Sequence, residues 1–371
     1  MKDERAHLQL FDLIAREWTV PSPVNRITFN ANDSAVAFGC ADGSVHLAAT
    51  ADKASPNLRT RRAVDTGRLT IGAREKPHLP LKSADFTAGR SSDVVAFGAS
   101  AFAFAKDDGR INSLTPGGLA VHMATRAPGA ITALAAAPDG KTVAFSAAER
   151  VYMSAPGSEA GWMADVAGPV TALAFSANGT HLAVAYPDHV ARWSLQDPGA
   201  GPVTTALDGT AIRLAWDPAG AWLTACLPTN GFSVINVARN TAQHHGNFPA
   251  PVRHTGFGHD TRTVIASGAF RVAAWSLTDG ADGAAVITGK AGLVLIDAIA
   301  TCPNRNLVAV GYANGLLSLA EIGLPSEILL REDTGAGITA MAWSHNGTYL
   351  ALCGTDGSAA LVEFPDAMFK S

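Results

Sequence analysis

Runs of five or six residues in which apolar side chains alternate with small or polar ones recur from one end of the chain to the other, with Asn, Asp and Gly between them. Alternation with a period of two is the mark of a strand, and Asn-Gly or Asp-Gly pairs supply the positive φ that tight hairpins need. The pattern therefore predicts many short antiparallel strands rather than helices. The 36 glycines and 20 prolines punctuate these runs along the whole chain instead of gathering in one linker.

The runs themselves repeat. The clearest copies are VTALAFSANGTHLAVAYPDHVARWSL from Val170, ITAMAWSHNGTYLALCGTDGSAALVEF from Ile338 and ITFNANDSAVAFGCADGSVHL from Ile27; weaker ones start near Asp93, Ile131, Ile212, Val252 and Val294. In each, a turn follows the second strand: Asp42-Gly43, Asp108-Gly109, Glu149-Arg150, Asp188-His189, Asn230-Gly231, Ala269-Phe270, Asn314-Gly315 and Asp356-Gly357. The spacings are 66, 41, 39, 42, 39, 45 and 42 residues. Apart from the first, this is the length of a four-stranded propeller blade, with a variable run such as Val203 to Leu207 or Glu327 to Leu330 as the outermost strand. One blade cannot bury both faces of its sheet, so neighbours must stack, and a ring leaves no open end.

The expected fold class is all-β: a single β-propeller over residues 1–371 with eight four-stranded blades, or seven if one weak repeat is irregular. The last unit stops at Phe364 after its third strand, whereas residues 8–20 precede the first unit. This leading segment is expected to supply the outer strand of the last blade and close the ring.

Length and composition narrow the function. With 47% hydrophobic and 16% charged residues the chain must fold, and no apolar run reaches the 18 residues of a membrane helix. Met1 to His7 is charged, unlike a secretory leader, and Cys40, Cys226, Cys302 and Cys353 show no CxxC spacing. A cytoplasmic protein with reduced, buried thiols is expected, and the alanine content points to a bacterial source. A net charge of -4 argues against binding nucleic acid by bulk electrostatics.

There is no G-x-S-x-G elbow, H-E-x-x-H helix or phosphate-binding glycine loop, so a non-catalytic protein without cofactor or metal is expected. The densest imidazole cluster is His244, His245, His254 and His259, but it spreads over an outer strand, the next inner strand and a turn. Cys226 and Cys353 align with Gly39 and Gly311 at the end of the second strand, a small slot suited to a buried thiol. The acceptor-like triplets at Asn32, Asn178 and Asn346 are explained by turn chemistry.

Topology yields the strongest constellation. If strand direction alternates, the turn after the second strand and the entry to the first strand share one face of the ring. That face receives Arg110, Arg150, His189 and Arg271 after second turns, and Arg26, Arg213 and Arg253 at the start of first strands. A cationic rim at the mouth of the channel suits carboxylate or phosphate on an acidic or phosphorylated protein partner. Residues 51–80, inserted between the first and second units, carry seven Lys and Arg, among them Arg61 and Arg62, against three acidic residues, a formal +4 that leaves -8 for the rest. This segment reads either as a docking element or as a spacer whose Leu69 to Ala73 run lengthens an outer strand.

The pattern resembles the WD-repeat β-propeller family over essentially the whole chain. The resemblance rests on Leu173-Ala174-Phe175-Ser176 and Met341-Ala342-Trp343-Ser344 in first strands, on the Asp-Gly turns, and on Trp193 and Trp275 in third strands. The Asp that follows the Trp in the family motif is Ser194 and Ser276 here, and Gly168-Pro169 and Gly129-Ala130 stand where the family places Gly-His. The family's hydrogen-bonded tetrad is therefore not expected in most blades, while the stacked architecture is. The resemblance implies an interaction scaffold; the alternative is a small-molecule or metal-handling propeller, lactonase-like, whose site would need Asp, Glu, His or Asn side chains converging in the channel.

Overall fold

The computed structural model describes residues 9–84, 94–154, 162–229, 231–260, 262–278, 280–290 and 292–369. Leu8, the repeat start at Asp93 and the turn residue Asn230 lie outside them. Eight antiparallel four-stranded sheets are present, so the eight-repeat count holds and the seven-blade alternative falls. The inner strands are Val24–Phe29, Val94–Phe97, Ala133–Ala136, Ala172–Phe175, Arg213–Trp216, Thr255–Phe257, Ile296–Thr301 and Ile338–Trp343, for blades 1 to 8.

Stacking explains why the middle strands read as nearly continuous apolar runs. Ala35–Cys40 is buried at all six positions, because both faces of its sheet meet another blade. The core is accordingly distributed between blades: Ala135 and Val151 of blade 3, for example, pack on Leu173, Val184 and Trp193 of blade 4. Indole N–H groups add cross-blade ties, Trp216 donating to the Ala174 carbonyl (3.1 Å) and Trp343 to that of Ala300 (3.0 Å).

The ring closes as the sequence suggests, with a shorter strand. Ala15–Thr19 pairs antiparallel with the third strand of blade 8, from Ala15 opposite Val362 to Thr19 opposite Ser358. Residues 10–14 instead form one helical turn, which buries Phe11 and Ile14 beside Leu330, Val362 and Phe364. At the far end, the Val20 amide donates to the Gly357 carbonyl (2.8 Å). Gly357 has φ +80°, and a Cβ there would stand 2.5 Å from the Val20 carbonyl oxygen, so this turn requires glycine.

The 51–80 insertion is built, and it is not an outer strand. Leu69–Ile71 pairs with Thr60–Arg62 in a hairpin of its own, and the outer strand of blade 1 is the two-residue Lys82–Ser83. Leu69 to Ala73 is corrected accordingly: the hairpin turn at 64–67 folds the chain back before it can reach blade 1. The insertion clamps both chain ends. Arg59 donates to the carbonyls of Ala54 (2.9 Å), Leu13 (2.6 Å) and Gly72, and Trp18 Nε1 donates to the Leu79 carbonyl (2.9 Å). Ser55 donates to Glu363, and the Asp366 amide to Asn57 Oδ1 (2.9 Å).

Candidate functional site

Inner strands begin on the face that carries the turns between second and third strands, and end on the opposite face. Seven candidate residues lie on the first face: Arg110, Arg150 and His189 open third strands, Arg271 precedes one, Arg213 opens an inner strand, Arg26 lies within one and Arg253 precedes one. The insertion joins the third and outer strands of blade 1, so Arg61 and Arg62 belong to the opposite end of the ring.

The seven divide by what they touch. Arg150 Nε is 2.9 Å from Asp165 Oδ1 and Arg110 Nε is 3.6 Å from Asp108 Oδ2, both in exposed ion pairs. Arg271 donates to the Gly289 carbonyl (2.9 Å), and His189 stacks on Tyr186 with its Nδ1 3.1 Å from the Pro187 carbonyl oxygen. These four are engaged in their own blades.

Arg26, Arg213 and Arg253 also act together on His254. Arg26 and Arg213 come from blades 1 and 5, opposite in a ring of eight, and line one channel cavity of about 790 Å³. Their influence meets at His254, which is buried and has Nδ1 3.2 Å from the Asp297 carbonyl oxygen. Burial, then Arg213, Arg253 and Arg26, push the His254 imidazole down to about 3 against the opposing hydrogen bond, so it stays neutral at pH 7. Burial raises the Asp297 carboxyl, with Arg253 opposing. Two guanidinium groups thus stand on the wall of a cavity lined otherwise mainly by apolar side chains.

Register explains this placement. Arg26 pairs with Gly39, Arg213 with Cys226, Ala133 with Ser146, Ala172 with Ala185, Ala298 with Gly311 and Ala340 with Cys353, all at one level of the blades. His254 stands at that level too, its carbonyl accepting from the Ser267 amide (2.9 Å). Blades 1, 5 and 6 thus place long cationic or imidazole side chains where four others have alanine. Asp297 was missed, and His254 was noted only within the imidazole cluster; comparing this one position across the repeats singles it out.

The rest of the wall is mostly alanine with larger apolar groups such as Leu134 and Met341, and its polar side chains other than the two arginines are Asn25, Thr28 and His345. No Asp or Glu side chain is among the lining residues. The histidines part company: His245 stacks on Phe232 (4.9 Å), His259 Nδ1 is 2.7 Å from the Pro303 carbonyl oxygen, and His244 faces Ser233. Among the described residues no three His, Cys, Asp or Glu gather as a metal site. All four cysteines are free and buried, and burial raises the Cys353 thiol to about 11.

The fold defines a closed eight-bladed β-propeller with Arg26 and Arg213 on its channel wall. The family model for the WD domain, G-beta repeat matches residues 328–361, which run from the outer strand of blade 7 through the third strand of blade 8. That one repeat and the eight-bladed ring support a likeness to the WD-repeat β-propellers. Among solved structures, the computationally designed protein Ika8 is similar at 19% identity and a TM-score of 0.65, covering 96% of this chain and 100% of its own. This likeness concerns the fold alone. No curated protein matches the chain. Function must therefore be argued from the site, because propellers host many functions.

Proposed function

We propose that the protein is a non-catalytic interaction scaffold that captures an acidic or phosphorylated segment of a protein partner at the channel mouth, with Arg26, Arg213 and Arg253 as the principal contacts. WD-repeat propellers commonly hold protein partners, and the observation that supports the finer reading is that Arg26 and Arg213, from blades 1 and 5, line one channel cavity, while Arg253 acts with them on the buried His254. Guanidinium groups offer paired, planar donors that match carboxylate and phosphate oxygens, and a half-buried site strengthens each contact. Arg110, Arg150, His189 and Arg271 contribute the outer rim.

Hydrolysis would need a carboxylate or metal-activated water beside the bound molecule, and the lining residues offer alanine and guanidinium instead. The scaffold reading is tested by affinity capture with tagged wild type and with Arg26→Glu/Arg213→Glu, at low and moderate salt, read by mass spectrometry. A salt-sensitive partner held stoichiometrically by wild type and lost from the variant supports it. Equal capture by both moves the interface elsewhere. A small molecule retained in place of a protein favours the channel-ligand alternative.

A further inference from the structure

The end of the ring opposite the arginine mouth carries a second cavity, of about 450 Å³, walled by the helical turn Pro56–Arg59, the hairpin and the strand exit at 72–76. Its rim holds Lys53, Arg59, Arg61 and Lys76 against the single carboxylate of Glu75, and its wall includes Leu58 and Ile71. Leu58 is 73% exposed, an apolar side chain at the edge of a charged pocket with nothing over it. Lys53, Arg61 and Lys76 are exposed, and among the described residues none gives their side chains a hydrogen bond or ion pair.

The pocket is also preformed. Arg59 is fixed by three carbonyls, which hold it without neutralising its charge, and Arg74 is paired with Asp52, whose carboxyl its neighbours keep below the usual range despite burial. A rigid site loses less on binding than one that must order itself. The insertion is at the same time a basic island, +4 on a chain whose remainder is -8, so an acidic ligand is repelled by most of the surface and attracted here.

We infer that the insertion is a recognition site of its own: Lys53, Arg59, Arg61 and Lys76 hold the carboxylates of an acidic peptide segment while Leu58 and Ile71 receive one of its apolar side chains. The small volume and apolar wall favour a peptide over a nucleic acid, whose length would run onto the acidic remainder of the chain. The site is independent of the channel mouth, so the ring would hold two acidic segments at opposite ends.

The test uses a fluorescein-labelled peptide of glutamates flanking one leucine, with binding followed by anisotropy at low and moderate salt. Wild type should bind it. Lys53→Glu/Arg61→Glu/Lys76→Glu should lose about tenfold or more in affinity, since three rim charges of modest individual worth are reversed together. Arg26→Glu/Arg213→Glu should retain at least part of the binding, which separates this site from the channel. Replacing the leucine by serine should weaken binding to wild type. Undiminished binding by the insertion variant overturns the inference, and so does equally tight binding of an oligothymidylate. Should charge reversal disturb folding, the triple glutamine variant with an unchanged melting curve gives the same comparison.

Discussion

His254 offers a sharp test of the burial and electrostatics beside the channel. In the unfolded chain its imidazole titrates near 6.5, whereas in the folded protein burial and the three arginines hold it at about 3. A depressed folded value for a base means that the unfolded state takes up the proton first. Stability from this group is therefore full above pH 6.5 and is lost as pH falls towards 3. Between pH 7 and pH 4.5 the linkage amounts to about 2.5 kcal/mol, most of it below pH 6, where the slope approaches about 1.4 kcal/mol per pH unit. The assay is urea unfolding across this range for wild type and for His254→Gln, which is uncharged and can still donate to the Asp297 carbonyl. Other groups titrate here too, so the informative quantity is the difference between the two proteins. The wild type should lose about 2.5 kcal/mol more than the variant. Parallel curves would refute the buried, neutral imidazole that burial first and the arginines second produce.

Ring closure predicts that deletion of residues 1–20 lowers the melting temperature, and that Phe11→Ala alone costs about 3 to 5 kcal/mol, as a buried aromatic deletion does. Unchanged thermal denaturation in either variant would contradict the closing role of the N-terminal segment. Burial of Cys40, Cys226, Cys302 and Cys353, with the Cys353 thiol raised to about 11, predicts that a thiol reagent at pH 8 labels the native protein far more slowly than the protein in denaturant. Rapid native labelling would oppose the packing between blades.

The repeat was legible because alternation and turn chemistry are local. Val170 to Leu195 states in one line the three strands that the structure builds. The face shared by Arg26, Arg110, Arg150, His189, Arg213, Arg253 and Arg271 was legible too, since alternating strand direction fixes it. What separates these residues was not. Whether an arginine meets Asp165 across a hairpin or lines the channel opposite another depends on how residues far apart in sequence are brought together. The insertion shows the same limit: its +4 charge was readable, but not that Asp52 pairs with Arg74 or that three carbonyls fix Arg59 in place with its charge intact.

Those structural roles gather at one place for a physical reason. Seven blades run in continuous chain from third strand to outer strand. Blade 8 takes its outer strand, Ala15–Thr19, from the other end of the chain, so contacts alone hold it to Ser358–Glu363. Polar ties flank this seam and join it to blade 1. Arg16 is buried and donates to the carbonyls of Ala49 (2.9 Å) and Thr50 (2.8 Å), while Asp33 accepts from the amides of His345 (2.9 Å) and Asn346 (2.8 Å). Glu363 receives Ser55, so the insertion too spans this junction. A segment that merely decorated the ring would have no need to grip both ends of the chain. Gripping them, it reinforces the one blade assembled from two distant parts of the chain and holds its own cationic pocket in a fixed position against blade 8.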